Sequence, residues 1–273
     1  NKSPRSVAKL IKALYGLRGS SKSWFRKISD YLCKTDNFTQ SEEDMCLFTK
    51  NTKQGSIMLG IHVDDMLITG TKSLVDKFKI DLENYFVAIG SKITSEDASC
   101  DEGVQFLGSV IKLHKTGIVT MSQEQRIEDV CERFKITTRP NGPSLPFVPG
   151  ETVKAWQRFE SMPSTPEEKD SHFKKIKEAF NPENFKSYND VIRNYREYTG
   201  CLIWLCGAGC PQVLPVVYKL ARYQNNPGFL HFQAVRRVLE YLYANKNRPL
   251  TFGKQRIQEL DEHQIQQHAI TIF

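Results

Sequence analysis

Apolar positions Trp24, Ile28, Tyr31, Leu32 and Thr35 repeat at helical spacing, with Lys22, Arg26, Lys27 and Lys34 on other faces. That spacing predicts an amphipathic helix. The rhythm then changes. MCLFTK (45–50), SIMLGIHV (56–63) and DMLITG (65–70) are short and rich in β-branched or apolar residues, and they predict strands. A polar NTKQG separates the first two. The last two join only at Val63-Asp64-Asp65, which puts both aspartates at or beside a tight hairpin turn. Flanks this apolar suggest strands buried on both faces. Helical spacing returns at Leu74, Phe78, Leu82 and Phe86. After an acidic, polar loop, SKITSEDASCDEG, the segments QFLGSVIKL (105–113) and IVTM (118–121) flank His114-Lys115-Thr116-Gly117 and predict a second hairpin. Ser122 is a candidate cap for a third helix, with Ile127, Val130, Cys131 and Phe134 on one face.

Residues 138–187 differ in character. Pro140, Pro143, Pro146, Pro149, Pro163, Pro166 and Pro182 interrupt them, with Glu/Lys runs between. They read as a partly disordered linker or surface insertion. Beyond it, Tyr195–Gly207, Val213–Tyr223 and Leu230–Asn245 predict helices. In the last, His231, Ala234, Val235, Val238, Leu239 and Leu242 form one apolar face, and Arg236 and Arg237 fall off it. The chain therefore divides into 1–137, 138–187, 188–253 and an unassigned tail, 254–273.

Composition adds bounds. The chain has 273 residues, 40% of them hydrophobic and 11% aromatic, enough to bury a sizeable core in one large or two modest domains. The formal charge of +7 is compatible with a polyanionic partner without being diagnostic. No stretch is apolar enough to span a membrane, and residues 1–12 lack the apolar core of a signal peptide. The expected location is cytoplasmic, not secreted. A first residue of Asn suggests a fragment, a processed product or an incomplete gene model. The seven cysteines are odd in number and mostly scattered, which argues against a secreted disulfide framework. Cys201, Cys206 and Cys210 cluster, but among apolar neighbours and with no Cys-x-x-Cys pair, so a buried helix is a better reading than a metal site.

Asp64-Asp65 carries the most specific chemistry. Adjacent carboxylates repel each other unless a cation intervenes. Mg²⁺ accepts one or two carboxylates together with water and phosphate oxygens, and a hairpin tip would hold such ligands firmly. An exposed turn is the plain alternative for the dipeptide alone, since Asp is a common turn residue.

HVDDMLITG (62–70) resembles the V-D-D signature of reverse transcriptases, and most of all its form in copia-type long-terminal-repeat retrotransposons. Other segments support the resemblance in the family's order. KALYGLRGSSKSWFRKISDYL (12–32) resembles the L-Y-G-L-K-Q-A-P-R-A-W-Y segment, and EDMCLFTK (43–50) the D-x-C-L-F strand. VQFLGSVIKL (104–113) resembles the F-L-G-I-E-I stretch that grips the primer, and VTMSQEQRIEDVCERFKI (119–136) the thumb helix after it. Residues 195–242 resemble the region that links polymerase to RNase H. The matches cover most of residues 10–250, apart from the two polar insertions.

The resemblance implies an α+β fold: a partial right-hand polymerase with a palm hairpin and thumb helices in 1–137, followed by a helix-rich connection region in 188–253. It implies that Asp64 is a catalytic metal ligand for Mg²⁺ or Mn²⁺ and that Asp65 is a second carboxylate. It places His62, where Tyr is usual, near the primer end, and makes Phe106, Leu107 and Gly108 the primer grip. Gly16, Leu17 and Gly19 fall in the nucleotide-binding segment, and Arg18 and Lys22 match basic positions beside primer and template. Gly19 stands where the family has Gln, and Ser21 where it has Pro, which puts efficient polymerisation in doubt. Arg193, Arg196, Lys219, Arg222, Arg236, Arg237, Lys246 and Arg248 are equally readable as a nucleic-acid surface or a solubilising face.

Implied partners are an RNA template, a DNA primer and deoxynucleotides. RNase H and integrase regions belong to the same polyprotein, and an intact element forms a virus-like particle. The family's third aspartate lies upstream of L-Y-G-L, in a D-V-x-x-A-F-L context that this chain lacks. The expectation is therefore a fragment that is inactive in isolation, with a non-catalytic nucleic-acid-binding remnant as the alternative. A missing strand beside the hairpin should leave a palm edge unpaired.

Overall fold

The computed structural model describes residues 11, 13–14, 16–91, 93–99, 101–136, 142–147, 163–180, 185–253 and 268–272. The strands are β1 (Thr39–Gln40), β2 (Leu47–Thr52), β3 (Gly55–His62), β4 (Asp65–Thr71), β5 (Glu96–Asp97), β6 (Val104–Phe106), β7 (Ser109–Leu113), β8 (Val119–Ser122), β9 (Leu250–Phe252) and β10 (His268–Ile272). The helices are α1 (Ser20–Asp30), α2 (Lys72–Ala88), α3 (Glu124–Arg133), α4 (Pro166–Phe180), α5 (Tyr188–Ala208), α6 (Leu214–Ala221) and α7 (Phe229–Ala244). A π-helical turn, Tyr31–Thr35, extends α1, and a 3-10 turn, Pro211–Val213, precedes α6. The architecture is mixed α+β. It divides into two units: Asn1–Phe106 with Lys112–Ile118 and Gln255–Phe273, and Leu107–Ile111 with Val119–Lys254.

The first unit is built on a sheet of order β1-β2-β3-β4-β10-β5. The predicted hairpin forms: β3 and β4 pair antiparallel from Ile57↔Gly70 to His62↔Asp65. Gly70 is required there, because a Cβ would stand 2.4 Å from the Ser56 carbonyl oxygen. Alternation then sends Phe48, Ile57, Leu59, Ile61, Met66 and Ile68 to one face. They share a core with Ile28 and Leu32 from the α1 region and with Val75, Phe78, Leu82 and Phe86 of α2. Each such side chain contributes roughly 1.5–3 kcal/mol through burial.

Two expectations change in this unit. The strands are buried on one face only, since Met58 is 45% exposed and His62, Asp65 and Thr69 are also exposed. Within this unit α1 and α2 back one side of the sheet, and Met58, His62, Asp65 and Thr69 are exposed on the other. The edge beside the hairpin is also not unpaired. β10 lies antiparallel to β4 from His268↔Thr71 to Ile272↔Leu67, and its other edge pairs with β5. The acidic loop after α2 therefore holds a short strand, whose pairing partner lies far along the chain.

The second unit is mainly helical. Its core joins α3, α4, α5, α6 and α7 through Ile127, Ile176, Tyr195, Leu202, Val217, Phe232 and Leu239. Phe232 sits at an aromatic centre, with Phe180, Phe185, Tyr195 and Tyr198 rings within 5.1–6.3 Å. β8 and β9 pair antiparallel from Val119↔Phe252 to Met121↔Leu250.

The predicted helices after residue 188 form, the first starting at Tyr188 rather than Tyr195 and the other two with boundaries shifted by one or two residues. α3 begins after Gln123 rather than Ser122, although Ser122 Oγ accepts the Glu124 N–H at 3.2 Å. The segment 138–187, read as a linker, contains α4, which buries Ile176. Thr165 Oγ1 accepts the Glu168 N–H, and the Glu168 carboxylate accepts the backbone N–H groups of Ser164 and Thr165. Proline at the first helical position suits this start. Pro140, Pro149, Pro182 and the tail up to residue 267 lie outside the described residues.

Candidate active site and nucleic-acid surface

The turn between β3 and β4 consists of Val63 and Asp64, and Asp65 is the first residue of β4. His62, Val63, Asp64 and Asp65 are all exposed. Val63 has φ 58°, in the left-handed region where a β-branched residue is strained. Such strain persists only where its surroundings over-determine it. Here the Val63 carbonyl accepts the Trp24 indole N–H at 2.6 Å, and Trp24 packs against Phe86 with ring centroids 5.6 Å apart. α1 and α2 thus hold the aspartate tip through one aromatic side chain.

Trp24 marks its helix in the sequence, but nothing there shows that it reaches the tip. A large apolar ring with a polar N–H that needs a partner was the available signal. The open face of the sheet continues from the tip: Asp65, Leu67 and Thr69 on β4 stand opposite His62, Gly60 and Met58 on β3.

Gly16, Leu17, Arg18, Gly19 and Lys22 lie at or just before the start of α1, and all are exposed. Trp24, two residues after Lys22, ties this segment to the aspartate hairpin. Phe106 is half-buried at the end of β6 in the first unit, whereas Leu107 and Gly108 belong to the second. Those two residues form a turn in which both have positive φ, 50° and 75°. A type I′ hairpin turn requires this, and glycine adopts it without strain.

The carboxylates offer part of an ion's oxygen shell. Mg²⁺ needs further oxygens from substrate and water. Among the described residues no group of three or more His, Cys, Asp or Glu side chains is placed to hold a metal ion. Asp64 and Asp65 alone do not build a complete site.

Several basic residues of the second unit are engaged within it. Lys246 pairs with Glu124 at 3.1 Å and with Glu128, and Arg133 with Glu197 at 3.4 Å. Arg193 pairs with Asp190 at 2.7 Å, and Arg196 donates to the Gln224 carbonyl and the Asn225 side chain. Arg236 and Arg237, expected on the exposed side, are half-buried, and Arg236 lies 4.9 Å over the Phe180 ring. α7 is covered on more of its circumference than one apolar stripe requires. Arg222 and Arg248 are exposed. Burial pushes the Cys131 and Cys206 thiols up to about 12 and the Cys210 thiol to about 11. These cysteines are inert core residues, as their apolar neighbours predict.

The reverse transcriptase (RNA-dependent DNA polymerase) family matches residues 1–149, more than half of the chain, and the chain belongs to this family. Its relatives place it among the Ty1/copia-type retrotransposon pol polyproteins. It is 28% identical over 250 residues to the retrovirus-related Pol polyprotein from transposon TNT 1-94 of Nicotiana tabacum, covering 90% of this chain and 16% of that protein. It is 27% identical over 252 residues to the Pol polyprotein from transposon RE1 of Arabidopsis thaliana, covering 92% and 14%. A transposon Ty5-1 protein of Saccharomyces cerevisiae is 24% identical over 257 residues, covering 92% and 69%. The chain thus spans about a sixth of the first two relatives. No solved structure matches it. No described helix is long and apolar enough to cross a membrane.

Proposed function

We propose that the chain is the hairpin-bearing palm portion, thumb and connection region of a copia-type RNA-directed DNA polymerase, contributing to metal-dependent nucleotidyl transfer onto a primer 3′ hydroxyl. The observation that carries this reading is the strained, exposed Val63-Asp64-Asp65 tip, braced by Trp24 at the end of an open sheet face. Asp64 and Asp65 supply carboxylate oxygens to Mg²⁺ or Mn²⁺. An ion held by these two carboxylates would supply positive charge against the transferring phosphate and the attacking hydroxyl. His62, across the strand pair from Asp65, flanks the primer end. Arg18 and Lys22 neutralise phosphate, Gly16, Leu17 and Gly19 line the nucleotide's path, and Phe106, Leu107 and Gly108 steady the primer. The partners are an RNA template, a DNA primer and deoxynucleotides, inside a cytoplasmic virus-like particle, with RNase H and integrase regions in the same polyprotein.

Among the described residues Asp64 and Asp65 join no larger group of metal-ligating side chains, and two carboxylates are too few to hold both ions of an in-line displacement. Primer extension tests the reading. Negligible extension is expected from this chain, and recovery from a longer chain that adds the D-V-x-x-A-F-L segment. Asp64→Asn in the longer chain should abolish the recovered activity without moving the melting temperature, because Asp64 is exposed. Strong extension by the short chain, or by the Asp64→Asn variant, would overturn it. A non-catalytic, nucleic-acid-binding role is the second reading, compatible with the formal charge of +7. It predicts salt-dependent duplex binding with no extension from either chain.

A further inference from the structure

The Leu107–Gly108 turn is backed by a side chain to which the sequence reading gave no role. A Cβ on Gly108 would stand 2.8 Å from Cη2 of Trp204, so the indole lies directly against the glycine. Trp204 is on α5, close to its C-terminal end. A second tie runs beside the first. Ser109 Oγ donates to the Ala208 carbonyl at 3.2 Å and accepts from Gln123 Nε2 at 3.4 Å. Gln123 is buried, and its Oε1 accepts from the Cys210 thiol. The last turns of α5 therefore fix the turn from two sides, one apolar and one hydrogen-bonded.

Trp204 also differs from the tyrosines nearer the middle of its helix. Tyr195 and Tyr198 on α5 are buried, but Trp204 stays 39% exposed. Leu107 beside it is 42% exposed. Arg126, exposed on α3, lies 4.9 Å over the indole. A guanidinium on an aromatic face is weakly hydrated and keeps its donors free for phosphate. An aromatic ring, a cation and a glycine turn on one surface are complementary to a sugar–phosphate strand.

We propose that Trp204 is the positioning residue of the Leu107–Gly108 turn, and that Trp204 and Arg126 extend that turn into one contact surface for the primer strand. This rests on the reading of the turn as a primer grip. The ring holds the turn at a fixed height, and Arg126 neutralises a phosphate that passes over it.

The test is the affinity of the full chain for a primer–template duplex, measured by fluorescence anisotropy across a salt series, with thermal melts alongside. Trp204→Ala should weaken binding about tenfold, and Trp204→Phe should restore most of it because a ring still faces Gly108. Arg126→Ala should lower the slope of log affinity against log salt by about one ion with an unchanged melt, which a purely structural residue would not do. If Trp204→Ala fails to fold, Arg126→Ala carries the test. Wild-type-like affinity in a folded Trp204→Ala, or a wild-type salt slope in Arg126→Ala, would overturn the inference and leave the primer-grip reading standing. A wild-type chain that does not bind duplex would overturn both.

Discussion

The two units hold their polar groups in opposite ways. In the first, a helix-backed sheet ends in a tip where His62, Asp64 and Asp65 are exposed and Val63 is strained. In the second, many polar groups serve the packing itself. His231 is buried, its Nδ1 accepts the Gly228 N–H at 2.7 Å, and its ring stacks on Tyr223. The buried Tyr195 hydroxyl donates to the Leu220 carbonyl at 2.8 Å. A buried polar group without a partner costs roughly 1–3 kcal/mol, so these bonds are structural necessities. An exposed carboxylate has water and is free to meet a ligand. The contrast shows why exposed strain at a tip is a better pointer to chemistry than a buried, satisfied histidine.

Removing the aromatic centre of the second unit should break the contrast most severely. Phe232→Ala is expected to cost about 3–5 kcal/mol, seen as a lower denaturant midpoint. Little change in that midpoint would mean that the aromatic cluster is not the keystone of that unit.

Deleting residues 268–273 should act on the first unit. Without β10, one edge of β4 loses its partner. Amides at Leu67–Thr71 should then exchange faster, and the chain should self-associate as its concentration rises. Unchanged exchange along β4 would count against the pairing.

A smaller effect, and a gain, is expected at the tip. Val63→Gly removes a β-branched residue from φ 58° and should stabilise the chain by about 1 kcal/mol, less the added flexibility of glycine in the unfolded state. A loss of stability would show that the turn is not strained.

The smallest effect concerns pH. His172 Nδ1 accepts the Phe229 N–H at 2.8 Å at the start of α7. Its pKa is held below the ordinary 6.5, first by burial and then by Lys175, with Glu168 opposing. The unfolded chain therefore binds this proton more readily than the folded one. The stability contributed is full above pH 6.5 and declines as pH falls below it. His172→Gln should flatten that decline in melts taken between pH 7.5 and 5. An identical decline in the variant would assign it to other groups.

Much of this was legible in the chain. The β3–β4 hairpin, α2 and the helices after residue 188 follow from local periodicity, which is set by the backbone itself. Asp64 and Asp65 were legible because like charges rarely sit in such an apolar run. Burial on one face was not, because alternation is hidden when both faces carry apolar residues: Met58 is apolar like Ile57 yet is 45% exposed. The half-burial of Arg236 and Arg237 is hidden for a related reason, since helical spacing names the most buried stripe and not how far its neighbours reach over the rest.

By itself, then, the sequence determined the β3–β4 hairpin, α2, the helices after residue 188, the family and the aspartate tip, because each is written in residues close together along the chain. The tertiary structure alone decided what holds the tip and what covers its sheet. Trp24 meets the Val63 carbonyl across 39 positions, and β10 reaches β4 from the far end of the chain. Trp204 comes to Gly108 in the same way. Such contacts depend on which surfaces the packed core brings together, and no local pattern encodes that.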